Sequence, residues 1–237
     1  FKSQSFSENT WNQLFKDLKT RKKKIYVDTF GLNALNVAQK NHVDGIKIHS
    51  SDLNNKVLLD KLKNKKIKYF LSCGGSTIDE IAYAVKIINT NGSKPVLLHG
   101  FQAYPTNIED THLNRISTLK NIFKDNCEYG YQDHISGDDP MNLTVPQVAI
   151  GYGARYIEKH VTLNRKAKGV DYYSSLEPSE LKSFTSSVRE IERSLGSPAM
   201  QFTNTEKKYR LQMKKFWVTN KKIRKNKILK KTDLIMK

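Results

Sequence analysis

Cysteine is nearly absent from this chain: 237 residues contain only Cys73 and Cys127, far apart and without metal-type spacing. That excludes a disulfide framework or a cysteine-based zinc module and reads as two ordinary thiols in a reducing compartment. Long apolar runs are missing too. The longest, such as Pro95-Val96-Leu97-Leu98, fall far short of the ~20 residues a membrane helix needs, and no apolar secretory segment opens the chain. A soluble, cytoplasmic protein is the expectation. Acidic residues are outnumbered by basic ones, 23 to 41, giving a formal net charge of +18. Such an excess invites a nucleic-acid reading, because clustered Lys and Arg release counterions from a phosphate backbone. Much of it, however, is lysine scattered through helical or loop segments, as in Lys61-Leu62-Lys63-Asn64-Lys65-Lys66. The stretch 207–231 is denser, but its aromatics Phe216 and Trp217 are adjacent instead of distributed along a groove. A solvated basic face is favoured there, and neither nucleic acid nor a membrane is an expected partner.

What the chain does have is alternation. Short β-branched runs at Ile25-Tyr26-Val27-Asp28-Thr29-Phe30, Gly45-Ile46-Lys47-Ile48, Ile67-Lys68-Tyr69-Phe70-Leu71, Val96-Leu97-Leu98-His99, Tyr129-Gly130-Tyr131 and Arg155-Tyr156-Ile157-Glu158-Lys159 read as strands. Helical patterns lie between them, around residues 11–18, 34–39, 113–123 and 145–150, with another opened by the cap-like Ser76-Thr77-Ile78-Asp79-Glu80. About six strand–helix units predict an α/β fold with a parallel sheet and right-handed crossovers. Polar residues gather where strands end: Lys47, Ser72, His99, Asp133, His134 and His160. An open sheet would concentrate them at one switch point, so their spread favours a (β/α)8 TIM barrel. A closed barrel needs eight units and roughly 250 residues, so the expectation is an incomplete barrel lacking two N-terminal units. Two strand-end histidines followed by a carboxylate, Asp171, suggest a metal site beside a substrate-binding acid. Each residue alone has a plainer reading: a structural histidine, a turn serine at Ser72, a packed tyrosine at Tyr104.

The run Tyr156-Ile157-Glu158-Lys159-His160-Val161-Thr162-Leu163, with Gly169-Val170-Asp171 and Ser175-Leu176-Glu177-Pro178, closely resembles the last barrel strand and following loop of the N-acetylneuraminate (sialic acid) synthase family. Other matches occur in order. Lys47-Ile48 with Ser50 and Asp52 is similar to that family's Lys-Ile-x-Ser-x-Glu, Leu71-Ser72-Cys73-Gly74-Gly75 to its Ser-Thr-Gly-Met, Leu97-Leu98-His99 with Tyr104-Pro105-Thr106 to its His-Cys-Thr…Tyr-Pro-Thr, and Asp133-His134 to its Ser-Asp-His. The resemblance implies a partial TIM-barrel synthase domain over 1–198, a basic linker over 199–215, and the beginning of an antifreeze-like (SAF) domain over 216–237. Asn226 stands where a turn glycine is usual. The resemblance also places a catalytic glutamate before Phe1 and an arginine that reaches a partner's site after Lys237, and it implies a homodimer at full length.

The implied reaction belongs to polysaccharide biosynthesis. It condenses phosphoenolpyruvate with an open-chain N-acyl amino sugar, N-acetylmannosamine or a related sugar, to a nine-carbon α-keto acid and phosphate. By resemblance His134 and His160 are ligands to Mn²⁺ or another divalent cation, which would polarise the sugar aldehyde. Lys47, Asp52 and Asp171 are the implied catalytic residues, and Lys47, Ser72, Gln102, Tyr104, Gln132 and Asp171 the implied substrate contacts. Departures cluster on the phosphate side: Asp52 replaces a glutamate, Gln102 an asparagine, Gln132 a serine, and Val27-Asp28-Thr29-Phe30 stands for Ser-Thr-Pro-Phe. A carboxylate beside a phosphate is repulsive without a cation or proton between them. The alternative these changes suggest is a divergent, non-catalytic homologue acting as a binding or interaction protein.

Overall fold

Short apolar strands that each feed a helix can pair only in parallel, because a helical crossover returns the chain to the same end of the sheet. The computed structural model, which describes residues 6–62, 67–89, 93–101 and 103–237, follows that rule. It separates into two compact units, Phe1–Leu195 and Gly196–Lys237.

In the first unit the order is α1 (Glu8–Thr20), β1 (Tyr26–Thr29), α2 (Gly31–Lys40), β2 (Gly45–Ile48), α3 (Lys56–Asp60), β3 (Lys68–Ser72), α4 (Ile78–Asn89), β4 (Val96–His99), α5 (Asn114–Phe123), β5 (Glu128–Asp133), α6 (Thr144–Gly151), β6 (Tyr156–Val161), β7 (Ser175–Leu176) and α7 (Pro178–Leu195). The strands lie in sequence order, each parallel to its neighbours, in a curled half-barrel sheet. Seven strands are found where six were expected. The seventh, β7, has two residues, pairing with His160 and Val161, which is too short to leave a periodic signal. Among the described residues, no helix is long and apolar enough to cross a membrane.

Side chains alternate between the faces of a strand. Ile46, Ile48, Leu71, Leu97 and Tyr131 point outward and join Leu35, Ile81, Ile88 and Ile116 of the helices in one buried core. Phe70, Val96 and Leu98 point inward and form a smaller cluster with Tyr156. Both cysteines are free and buried.

In the second unit, α8 (Asn204–Met213) is opened by a capping box in which Thr203 and Glu206 bond reciprocally, and β8 (Trp217–Thr219) pairs antiparallel with β9 (Leu234–Met236). Asn226 adopts φ +67°, the left-handed conformation for which a glycine is usual and which asparagine tolerates better than most residues. Asp233 is buried and accepts from Lys221 at 2.9 Å and from the Lys230 backbone at 3.1 Å, which together hold its carboxyl down to about 2.

Candidate active site

The inner face of the curled sheet opens on a cavity of about 1020 Å³, walled by the C-terminal ends of β1, β2 and β6 and by Tyr104 and Asp171 from loops. Tyr26, Phe70 and Tyr156 pack edge to face one step back along their strands, with centroids 5.0 and 5.4 Å apart, and close the apolar floor. Polar chemistry sits above that floor.

Asp28 and Lys47 are register partners on adjacent strands, so their side chains emerge side by side. The Lys47 ammonium crosses the bore to Glu158, 2.7 Å away, and lies 3.2 Å from Asp28. Burial works to lower the Lys47 pKa, but Glu158 and Asp28 outweigh it and the net shift is upward. Burial likewise raises the Asp28 carboxyl, against the pull of Lys47.

Beside this trio, His134 and His160 face each other with ring centroids 5.1 Å apart, and Tyr104 presents an edge-on ring to both, at 5.0 and 5.9 Å. Asp171 Oδ2 lies 3.8 Å from His160 Nδ1. Burial lowers the His134 pKa to about 3, helped by the nearby His160, Lys47 and Lys159, so its ring is neutral at physiological pH. Tyr104 is pushed up to about 12 by burial and by Asp171, Glu158 and Asp28, and keeps its hydroxyl proton.

Both His134 ring nitrogens are buried and neither makes a hydrogen bond of normal geometry, the Phe101 backbone being the polar group that bears on the ring. Buried polar atoms are seldom left so. A neutral imidazole with free lone-pair chemistry, beside a second imidazole, fits a divalent cation. Among the described residues no three His, Cys, Asp or Glu side chains gather to hold a metal ion, so a cation here would rest on two imidazoles and take its other ligands from substrate and water.

The structure thus brings Lys47, Tyr104, His160 and Asp171 together on one cavity wall, with His134, itself buried, packed against the rings of Tyr104 and His160. It does not bring Ser72, Gln132 or Asp52 to the cavity wall. Ser72 and Gln132 are buried and satisfy each other, the serine hydroxyl donating to Gln132 Oε1 at 3.0 Å and Gln132 Nε2 to the Gly100 carbonyl at 2.7 Å. Asp52 lies in a short 3-10 turn, Ser50–Asp52, and accepts from Asn55 at 2.8 Å. Gln102 lies outside the described residues. Period-two alternation also removes His99 and Asp133 from the bore. The His99 Nε2–H donates to the Thr111 carbonyl at 2.8 Å, and Asp133 accepts the Tyr131 hydroxyl at 3.0 Å and pairs with Lys159 behind the sheet.

Glu158, given no role by the sequence reading, proves to be the closest partner of Lys47. The signal was present, since it stands two residues before His160 on one strand and so shares its face. Gly100 holds the Ser72–Gln132 bracket at φ +115°, and a Cβ there would meet the Gln132 carbonyl oxygen at 2.1 Å. Gly100→Ala is therefore expected to cost on the order of 1–3 kcal/mol from backbone strain alone. A lowered urea midpoint at unchanged m-value is the readout, and an unchanged midpoint would show that the bracket yields freely.

Residues 1–200 match the NeuB family. An uncharacterized protein of Methanocaldococcus jannaschii is 38% identical over 202 residues, covering 83% of this chain and 57% of that one. The N,N'-diacetyllegionaminic acid synthase of Campylobacter jejuni is 30% identical over 211 residues, covering 88% of this chain and 61% of that one. The chain thus spans little more than half the length of these relatives. A crystal structure of the N-acetylneuraminic acid (sialic acid) synthetase of Leptospira borgpetersenii, in complex with citrate, superposes with a TM-score of 0.79 at 30% identity, covering 88% of this chain and 72% of that one. With a match that runs across the whole half-barrel and its strand-end cavity, the chain belongs to the NeuB family.

Proposed function

We propose that this protein is a nonulosonic acid synthase, condensing phosphoenolpyruvate with an open-chain N-acyl amino sugar to a nine-carbon α-keto acid and phosphate. The observation that carries this reading is the pair of facing imidazoles, His160 lining a cavity that also holds a buried lysine and His134 buried against it with no hydrogen bond of normal geometry at either nitrogen. The names borne by the Campylobacter and Leptospira relatives support the same class.

His134 and His160 would hold a divalent cation such as Mn²⁺, which when bound supplies Lewis acidity toward the sugar aldehyde. The remaining roles belong to the chain itself. Lys47 offers a fixed positive charge to the carboxylate or phosphate of phosphoenolpyruvate. Tyr104, protonated throughout the physiological range, donates from the sugar side, and Asp171 accepts from sugar hydroxyls. Ser72 and Gln132, mutually bonded, brace the ends of β3 and β5 against each other. The apolar floor of Tyr26, Phe70 and Tyr156 excludes water from the lower bore and sharpens the electrostatics above it.

The test is phosphate release by the protein expressed from its complete reading frame, with phosphoenolpyruvate, Mn²⁺ and a panel of N-acyl amino sugars. Stoichiometric phosphate and α-keto acid with at least one sugar is the expected result. A folded protein that binds phosphoenolpyruvate but releases no phosphate with any sugar would leave the non-catalytic binding homologue as the answer.

A further inference from the structure

The charges around Lys47 do not balance. One ammonium faces two carboxylates, Glu158 and Asp28, and Asp171 adds a third acid to the same cavity wall. The other lysine that reaches the wall, Lys159, is committed to Asp133 behind the sheet. Counting the side chains that contact Lys47 and line the wall beside it, an oxyanion approaching Lys47 before any cation is bound therefore meets more negative charge than positive, at distances where the interior does little to screen it.

The two carboxylates on Lys47 are not equivalent. Glu158 makes the shorter contact, 2.7 Å against 3.2 Å. Asp28 uses only Oδ2, while its Oδ1 is buried without a partner. A proton placed on Oδ1 would remove one negative charge, leave Oδ2 beside Lys47, and give the orphaned oxygen a hydrogen to donate. The groups that bear on Asp28 are Lys47 on β2, His49 just beyond it and Glu158 on β6, with Tyr104 and Asp171 lining the same cavity from loops. Of these, only Lys47 and His49 pull Asp28 toward its charged form, and Lys47 is already shared with Glu158.

We propose that Asp28 makes oxyanion binding at Lys47 proton-coupled: a phosphate-type anion is admitted as Asp28 takes up one proton, so Asp28 sets both the specificity and the pH dependence of that subsite. The burial that already raises this carboxyl acts in the same direction. The inference rests on the reading of this cavity as the phosphoenolpyruvate site and adds to it the protonation state in which the phosphate is received.

Calorimetric titration of the protein with sulfate, and separately with phosphoenolpyruvate, in buffers of differing ionisation enthalpy from about pH 6 to 8.5 counts the protons exchanged. Sulfate keeps its charge over that range, so any proton taken up belongs to the protein. Proton uptake on binding sulfate is expected within that range, with affinity falling as pH rises by up to about tenfold per unit. Asp28→Asn should take up none and bind both anions at least about tenfold more tightly at the alkaline end. Asp28→Thr, the residue the resemblance aligns there, gives a second variant should the first fail to fold. No uptake by the wild-type protein at any pH, equal uptake in a folded variant, or no binding of either anion by folded protein would overturn the inference. If the wild-type protein takes up the proton yet turns over no sugar, the synthase reading fails while the coupling stands. Turnover without uptake overturns the coupling alone.

Discussion

Replacing Lys159 by methionine is expected to destabilise the barrel unit by about 3–5 kcal/mol, the penalty for leaving one member of a buried ion pair without its partner. The Lys159 and Asp133 side chains are 3% and 0% exposed, so the orphaned carboxylate could not turn to water. Burial already pushes the Asp133 carboxyl above its ordinary range, with Lys159 and the Tyr131 hydroxyl pulling it back, and removing the ammonium leaves burial unopposed by charge. Lys159 also donates to the Asn142 carbonyl at 3.1 Å, a bond that methionine cannot make. Against a typical domain stability of about 5–15 kcal/mol, this loss is large. It should appear as a lowered urea midpoint, and the double variant Lys159→Met, Asp133→Leu should recover part of it, because an apolar pair of similar volume carries no desolvation penalty. A single variant within about 0.5 kcal/mol of wild type would mean that the pair is open to water in solution. The pair matters to the site through register. Asp133 and Lys159 are direct partners across β5 and β6, and each is followed at once by one of the two facing histidines. The ion pair therefore holds the sheet from its outer side at the point where the imidazoles meet on the inner side.

That division of faces explains how far the sequence could be read. The strands were legible because each is a β-branched run of four to six residues between helical patterns, as at Gly45–Ile48 and Tyr156–Val161. α7, with 18 residues, carries a clear apolar stripe but buries only Phe184 fully, and it went unread because it lies beyond the last strand that was recognised. The short strand before it, β7, has no periodicity to find. Within the site, Lys47, Tyr104, His134, His160 and Asp171 were legible as motif positions. Strand-end position alone grouped His99 and Asp133 with them, and only alternation along the strand separates these outward residues from the inward ones. Ser72 and Gln132 looked like two independent substrate contacts because nothing in sequence shows that side chains 60 residues apart bond each other. Glu158 acquired a role only when β2 and β6 were seen to face one another across the bore, a contact spanning 111 residues. Asp28 was visible as a departure from the family's pattern, but its meaning depends on sharing Lys47 with Glu158.

His134→Gln carries the largest expected functional effect. Its ring nitrogens are both buried and make no hydrogen bond of normal geometry, and it is one of two imidazoles at the proposed cation position. Losing even an outer contact to a metal ligand commonly costs 10–100-fold in affinity, so losing a ligand itself should weaken Mn²⁺ binding by at least about 100-fold and phosphate release at least as much. Calorimetry or the relaxivity of Mn²⁺ in water reads the first directly, without turnover. Undiminished Mn²⁺ affinity in the folded variant would remove His134 from the cation site. The same substitution has a second signature, in stability. The unfolded chain protonates this imidazole near 6.5 but the folded protein, by burial, only near 3, so between those values the unfolded state binds the extra proton. Stability must then rise with pH across that window and fall as pH drops toward 3, with a slope of up to one proton. Glutamine does not titrate, so the variant should lose this share of the acid sensitivity and keep the share that comes from carboxylates. The two readouts are independent. Flattened pH dependence with unchanged Mn²⁺ binding would make His134 a buried neutral histidine and no ligand, whereas loss of both ties the orphaned ring to the cation.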